Sequence, residues 1–215
     1  RLAQSGMLQG LEGLDPGLFL ELNPVVTALQ LGAYDSETAS LIHTDPDLEF
    51  GLNATYGITS NLTLDATYNP DFSQVEADAG QITVNERFAI FLDEKRPFFL
   101  EGTELFELPA RIVYTRSIVD PIVGAKITGK VGALSLGYLG AVDKDLSVDD
   151  EAVVNLVRVR ADMGASSTLG IVYTDRTRDL DTYNRVLGTD ARLVLGQRYT
   201  LILMSAVSRT GLGIG

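Results

Sequence analysis

The chain has 215 residues, which is enough for one domain with a full hydrophobic core or for one β-barrel. Hydrophobic residues make up 45% and charged residues 21%, which argues against disorder, and the net charge of -12 argues against binding to nucleic acid phosphates. The chain has no cysteine, so disulfides, thiolate metal sites and cysteine nucleophiles are excluded.

The N-terminal part is the least regular part of the pattern. The chain begins at Arg1 without a signal-like apolar region, so we expect a processed or truncated piece of a longer protein. A strand is predicted from Leu18 to Leu31, and Pro24 in it lacks a backbone N–H, which indicates an edge strand or a bulge. A polar link from Gly32 to Asp47 follows. It contains His43, the single histidine, which we interpret as an exposed loop residue.

A β-hairpin is predicted next, because apolar and polar residues alternate strictly along two neighbouring stretches. The first stretch runs from Leu48 to Tyr56 and the second from Leu62 to Tyr68, with a turn at Gly57 to Ser60 between them. One face of this hairpin is therefore apolar. The other face carries amides, hydroxyls and a carboxylate.

Alternation returns after residue 109 and continues to Val207. The pattern predicts a short strand from Ala110 to Arg116, a tight turn at Gly132 and Ala133, an acidic loop from Asp143 to Glu151 and a charged loop from Asp175 to Asp181. In total we expect about nine or ten strands, joined alternately by short and long connections.

This alternation of short and long connections between strands predicts an all-β fold. The fold is an antiparallel up-and-down meander that forms an outer-membrane β-barrel or part of one. In such a barrel the apolar face of each strand meets lipid and the polar face lines the lumen. A soluble sandwich or lipocalin-like barrel, with the apolar face turned into a core, has the same periodicity and stays open. The residues expected to line the lumen are Lys126, Lys130, Arg158, Arg160, Asp190 and Arg192.

An irregular segment near residues 69–109 interrupts the strands, and it carries the most specific part of the sequence. The run GITSNLTLDATYNPDFSQVEADAG, followed by ERFAIFLDEKRPFFLEG, resembles the signature of the DUF5916 family of bacterial proteins. The stretches YTRSI, GAKITGKVGALSLGYL and YNRVLGTDARL are also similar to the family, so that the resemblance extends from Pro46 to Leu193.

The resemblance implies an outer-membrane β-barrel region of a Gram-negative bacterium, often preceded by a carbohydrate-binding-like domain of family 9. It also implies a barrel longer than this chain, so that residues 1–215 are expected to be one region of a longer barrel. Members of the family are loosely described as membrane-associated hydrolases or as carbohydrate-binding, and no catalytic residue carries over from them.

Three hypotheses apply to the irregular segment. As a structural plug or cap, it would be held by ion pairs and apolar anchors among Asp71, Arg87, Glu94, Lys95, Arg96, Phe98, Phe99 and Glu101. As a catalytic site, it would use a carboxylate pair, as glycoside hydrolases do, drawn from Glu76, Asp78, Glu94 and Glu101. As a calcium site, it would use oxygen ligands from Asp71, Glu76 and Asp78.

The sequence therefore favours an outer-membrane barrel that takes up or handles saccharides or other solutes, with membrane lipid and the solute as its partners and no cofactor. Two alternatives remain at this point. One is a membrane-associated hydrolase that acts on a glycan through carboxylates of residues 71–101. The other is a soluble β-barrel binding protein. We lean against an enzyme, because the sequence contains no established catalytic motif.

Overall fold

The computed structural model describes residues 19–30, 32–35, 40–43, 45–70, 93–145, 150–164, 166–196 and 198–213. These residues form eleven strands and very little helix. The strands are β1 (Leu20–Leu29), β2 (Gly32–Asp35), β3 (Ser40–His43), β4 (Asp47–Thr59), β5 (Leu62–Tyr68), β6 (Asp120–Val131), β7 (Leu134–Asp145), β8 (Asp150–Met163), β9 (Ser167–Thr177), β10 (Tyr183–Leu195) and β11 (Tyr199–Gly211).

Nine of the strands form one sheet in the order β1-β4-β5-β6-β7-β8-β9-β10-β11, and every neighbouring pair is antiparallel. The predicted all-β, up-and-down meander is therefore confirmed. Within the described residues the sheet is not closed, because β1 and β11 are its edges. Pro24 lies in β1, so its missing N–H falls on an edge strand, as the sequence indicated.

Short turns join the later strands, and each depends on one glycine. Gly132, Gly164 and Gly196 lie between β6 and β7, β8 and β9, and β10 and β11, with φ angles of 61°, 64° and 58°. These angles are in the left-handed region, which glycine enters without steric cost. The turns therefore return the chain tightly at one end of the sheet.

The two faces of the sheet have opposite chemistry, because side chains alternate along every strand and the register carries that alternation across the strands. On one face, which we call the apolar face, the side chains stay exposed; its members include Leu52, Val123, Tyr138, Val157, Ile171, Leu187, Leu203 and Val207. The opposite face, which we call the polar face, carries buried charged and polar residues that include Asp65, Thr67, Lys126, Ser135, Asp143, Arg158 and Asp190.

The described residues that directly precede β6 cover the middle of the polar face. We call these residues, 93–119, the covering segment. It has one turn of α-helix, α1 (Pro97–Leu100), and two short 3₁₀ helices at Thr103–Leu105 and Thr115–Ser117. The hydrophobic core lies between this segment and the sheet, and its buried residues are Phe99, Leu105, Phe106, Ile118, Leu139, Ala141, Leu156 and Val172.

Several sequence-based boundaries are wrong. Ala110–Arg116 is not a strand but part of the covering segment. Its apolar residues Ile112 and Val113 pack against the core, and the segment does not pair with the sheet. The link from Gly32 to Asp47 contains the hairpin of β2 and β3, so the backbone of His43 belongs to a strand and not to a loop.

The predicted loops at Asp143 to Glu151 and Asp175 to Asp181 are too long, because charged residues continue the strands. β7 reaches Asp145, β8 begins at Asp150, and β9 extends to Thr177. The strands thus extend past their last apolar residues into charged ones. The sequence alone does not distinguish such a charged strand end from a loop. Among the residues that the structure describes, no helix is long and apolar enough to cross a membrane.

Candidate functional site

The candidate site is the contact between the covering segment and the polar face, and glycines in the sheet make room for it. A Cβ built on Gly124 would lie 3.0 Å from the ring of Phe98, and one on Gly137 would lie 2.8 Å from the ring of Phe106. Real Cβ atoms rarely or never come so close to another atom. A side chain at either glycine would point to the polar face. Because glycine has none, the two phenylalanine rings pack directly against the backbone of the sheet.

Lys126 of β6 binds the backbone of the covering segment. It is completely buried, and its Nζ donates to the carbonyl oxygens of Phe98 at 2.6 Å and Glu101 at 2.9 Å. The carboxylate of Asp65 lies 3.6 Å away on the neighbouring strand and neutralises the charge. A buried ammonium is stable only with such partners. Lys126 therefore holds the C-terminal end of α1 against the sheet.

Arg158 of β8 and Asp190 of β10 form a buried ion pair that spans β9. The Nη2 of Arg158 donates to Asp190 at 3.0 Å, and its Nη1 donates to the other carboxylate oxygen. The remaining donor, Nε, reaches the carbonyl oxygen of Leu105 at 3.2 Å. Gly170 lies between them, where a Cβ would come within 2.5 Å of the guanidinium. The pair thus connects two strands and the covering segment at once.

Asp143 and Arg176 hold the end of the covering segment. One oxygen of Asp143 accepts hydrogen bonds from the backbone N–H of Val119 at 2.9 Å and of Asp120 at 2.8 Å. Its other oxygen accepts from Arg176 at 3.0 Å, and Arg176 also donates to the carbonyl of Ser117 at 3.1 Å. Asp143 is fully buried, so both of its oxygens depend on these partners.

Within the covering segment, Glu94 and Arg96 form a second well-connected pair. The Nε and Nη2 of Arg96 each donate to Glu94 at 2.8 Å, and Thr115 donates to the same carboxylate at 2.6 Å. Burial raises the pKa of Glu94, but the hydrogen bonds from Arg96 and Thr115 outweigh it and lower the pKa to about 2. Arg96 also stacks on Phe99, with 4.2 Å to the ring centroid.

Two of the cavities between the covering segment and the sheet are of particular interest for solute binding. One, of about 300 Å³, is lined mainly by apolar side chains, with Arg176 and Asn184 at its border. The other, of about 730 Å³, lies near the short turns and is lined by hydroxyls and by the charged residues Lys130, Arg160 and Glu104. Solute pockets in proteins have this range of volumes. Both cavities open on the polar face.

The structure places the site residues expected from the sequence in three groups. All six expected lumen-lining residues lie on the polar face, as the register shows. Of the plug residues, six lie on the covering segment: Glu94, Lys95, Arg96, Phe98, Phe99 and Glu101. The remaining candidates, Asp71, Glu76, Asp78 and Arg87, lie outside the described residues.

The catalytic candidates that the structure describes do not form a carboxylate pair with free oxygens. Glu94 is saturated by Arg96, Thr115 and two backbone N–H groups. Glu101 is 69% exposed and lies 3.9 Å from Lys126. Across the described ranges, no three acidic or histidine side chains cluster so that they could hold a metal ion.

The sequence does not reveal the contacts that Asp65, Asp143 and Arg176 make in the site. It puts Asp65 on the polar face of the predicted hairpin, and it puts Arg176 in a set of arginines that either line a lumen or form a solvated face. Asp143 and Arg176 also fall in the two predicted charged loops, because they lie near the charged ends of their strands. The signal for all three is that they share a face with Lys126 and Arg158 once the strands pair in register.

Comparison of the sequence with known protein families finds a match to one family. The profile of a domain of unknown function, DUF5916, matches residues 16–130, more than half of the 215 residues. The chain belongs to the DUF5916 family. The match includes both motif blocks quoted above, whereas the family-like stretches after residue 130 lie outside it. No curated protein and no solved structure matches the chain.

Proposed function

We propose that this DUF5916 chain is the wall of an outer-membrane β-barrel, with the covering segment inside the lumen as a plug. One observation carries the proposal: the sheet buries its charged face and exposes its apolar face. Lys126 and Arg158 are 0% and 2% exposed, whereas Val157, next to Arg158, is 37% exposed. Water-soluble sheets have the opposite arrangement, because apolar surface is driven out of water.

The lengths of the strands support the same proposal. β6 to β11 have between 11 and 14 residues, and a tilted strand needs about 9–11 residues to cross a membrane. Charged residues appear on the apolar face only near one end of these strands, at Lys144, Glu151, Asp175, Arg185 and Arg209. Such a border matches the level at which a barrel wall leaves the hydrocarbon and meets lipid headgroups.

Closure of the barrel needs additional strands next to β1 and β11, which are the two open edges of the described sheet. An open edge inside a membrane would leave backbone N–H and C=O groups without partners, at a cost of several kcal/mol for each group. The proposed barrel therefore contains further strands, which pair with β1 and with β11.

Passage or binding of a hydrophilic solute is the activity that fits this architecture. The polar face keeps two cavities beside the covering segment, and charged residues line both. The hydrolase alternative gains no support from Glu94, because its pKa of about 2 keeps it ionised near neutral pH and it cannot act as a general acid there. A soluble binding barrel is disfavoured by the exposed leucines and valines.

The test uses two adjacent residues of β11 that differ only in the face they occupy. Leu203 is on the apolar face and Ile202 is on the polar face, and they are 50% and 56% exposed. Because the chain has no cysteine, Leu203→Cys and Ile202→Cys each give one labelling site. With a fluorophore on each cysteine, brominated lipid is expected to quench the Leu203→Cys label strongly and the Ile202→Cys label weakly.

Equal quenching at the two positions would overturn the proposal, as would a protein that stays monomeric in water without detergent. A second readout is migration in gels, because membrane barrels run differently before and after boiling. The same migration under both conditions would count against a closed barrel.

A further inference from the structure

The cavity near the short turns contains a cation without a counter-ion contact at its buried nitrogen. Within the described part of the chain, Nε of Arg160 is the one buried side-chain polar atom that has no hydrogen-bond partner. A buried N–H without a partner costs about 1–3 kcal/mol, so native structures seldom leave one unsatisfied. In proteins such an atom often marks a place where a ligand, an ion or a water binds.

The surroundings of Arg160 are polar: two cations and several hydroxyls line the cavity, together with one carboxylate, Glu104. Lys130, Ser135 and Arg160 are direct cross-strand partners on β6, β7 and β8, so two cations flank one hydroxyl. Thr63 and Thr128, which pair on β5 and β6, add hydroxyls to the same wall. The cavity of about 730 Å³ has room for a molecule of the size of one or two sugar rings.

Arg160, which is partly buried and whose Nε is fully buried, differs from the buried cations of the polar face. Lys126 and Arg158 donate to carbonyls of the covering segment and lie beside Asp65 and Asp190. The neighbouring Lys130 pairs with Asp162, and both residues of that pair are partly exposed. Arg160 thus provides a charged donor whose Nε receives no acceptor from the covering segment, although Asp162 of the same strand lies close enough to interact with its charge.

We propose that this cavity binds the oxyanion group of a small, hydroxyl-rich solute, a carboxylate or a phosphate, with Arg160 as the main donor. This inference deepens the proposed function, because it names the chemical class of solute that the lumen holds. The hydroxyls of Thr63, Thr128 and Ser135 would then bind the hydroxyl groups of the solute. A protein with a net charge of -12 repels anions in general, so a local cation site would be needed to retain one.

The test is calorimetric titration of the detergent-solubilised protein with three probes: glucuronate, glucose 6-phosphate and neutral glucose. Binding is expected for one or both anions, and the stronger anion identifies the source of the oxyanion. Glucose is expected to bind at least tenfold more weakly, because it offers no charged acceptor to Arg160.

Two variants separate a specific site from general attraction. Arg160→Gln is expected to weaken binding of the anion at least tenfold, and Arg160→Lys, which keeps the charge, is expected to weaken it less. Arg192→Gln removes a cation on the same face that does not line this cavity, and binding is expected to stay unchanged.

Three results would overturn the inference: no binding of either anion, equal binding of glucose, or the same loss in Arg192→Gln as in Arg160→Gln. Gel migration before and after boiling is measured on the same samples. If the protein forms a heat-modifiable barrel that binds no anion, the cavity inference fails and the proposed membrane barrel stands. If heat-modifiable migration is absent, the proposed barrel itself fails.

Discussion

The two faces of the sheet differ in which side chains are buried, although the same strands form both faces. On the polar face, charged residues are buried and almost every buried donor has a named acceptor, as with Lys126 and Arg158. On the apolar face, large aliphatic side chains such as Val157 and Leu203 are exposed and touch no covering element. Specific polar contacts therefore define one face, and the surrounding medium has to stabilise the other.

This difference separates two kinds of stability in the molecule. The covering segment is held by directional bonds, so single substitutions there should have large and local effects. The apolar face has no such bonds, so substitutions on it should matter only through their effect on contact with lipid. Variants on the two faces should therefore differ in the size and the cause of their effects.

The largest effect is expected from breaking the buried pair of Arg158 and Asp190. Asp190→Ala would leave the guanidinium of Arg158, which is 2% exposed, without its carboxylate. Loss of one partner of a buried pair costs about 3–5 kcal/mol of unfolding free energy. Urea unfolding in lipid vesicles or detergent measures the change.

The matched control is Asp162→Ala, which breaks the more exposed pair with Lys130 on the same face. Exposed pairs contribute little because water and salt screen them, so this variant should unfold almost like the parent. If both alanine variants lost the same stability, burial under the covering segment would not be what makes the polar face rigid.

The next largest effect is expected on the apolar face. Leu203→Arg would place a charge in lipid and should destabilise the folded barrel by about 2–4 kcal/mol. Ile202→Arg, one residue away on the polar face, should change the unfolding free energy by only about 0.5 kcal/mol. Refolding into vesicles at increasing urea concentrations measures both. Equal tolerance of the two arginines would mean that the apolar face does not meet lipid.

The faces themselves could be predicted from the sequence, because alternation with a period of two fixes them once the strands pair in register. This alternation predicts Lys126, Arg158 and Asp190 on one face, and all three are buried on the polar face. The medium that each face meets could not be predicted from periodicity, since a soluble core and a lipid layer select the same apolar residues.

Long-range partners could not be predicted either. Asp143 binds the N–H groups of Val119 and Asp120, which precede it by more than 20 residues, and no local pattern indicates that contact. Ala110–Arg116 alternates like a strand, but its apolar residues are used to pack onto the sheet from above. In this segment, packing against the core overrides the local β-propensity.

Acid should weaken the covering segment through Glu94. The pKa of this carboxyl is lowered from 4.5 to about 2, so its pairing with Arg96 stabilises the fold fully above pH 4.5. That stability is lost as the pH falls from 4.5 through about 2. We expect Glu94→Gln to be less stable than the parent by about 3 kcal/mol near neutral pH. Unfolding measured as a function of pH should show the two proteins converging in acid.

A constant difference between Glu94→Gln and the parent across this pH range would contradict the prediction, because the glutamine cannot titrate. Other carboxylates also titrate in acid, and comparison of the two proteins removes their common contribution. Thr115→Val offers a smaller test of the same carboxyl, since it removes only the hydroxyl that donates to Glu94 at 2.6 Å.

The smallest of the main effects is expected where an aromatic ring rests on the sheet backbone. Gly137→Ala would put a Cβ 2.8 Å from the ring of Phe106, which is 7% exposed and has little room to move. Overpacking of this kind costs about 1–3 kcal/mol. Phe106→Leu in the same chain should recover part of that loss, because the smaller side chain makes room for the new methyl group. If the double variant were no more stable than Gly137→Ala alone, contact between this ring and the sheet would not be what holds the covering segment in place.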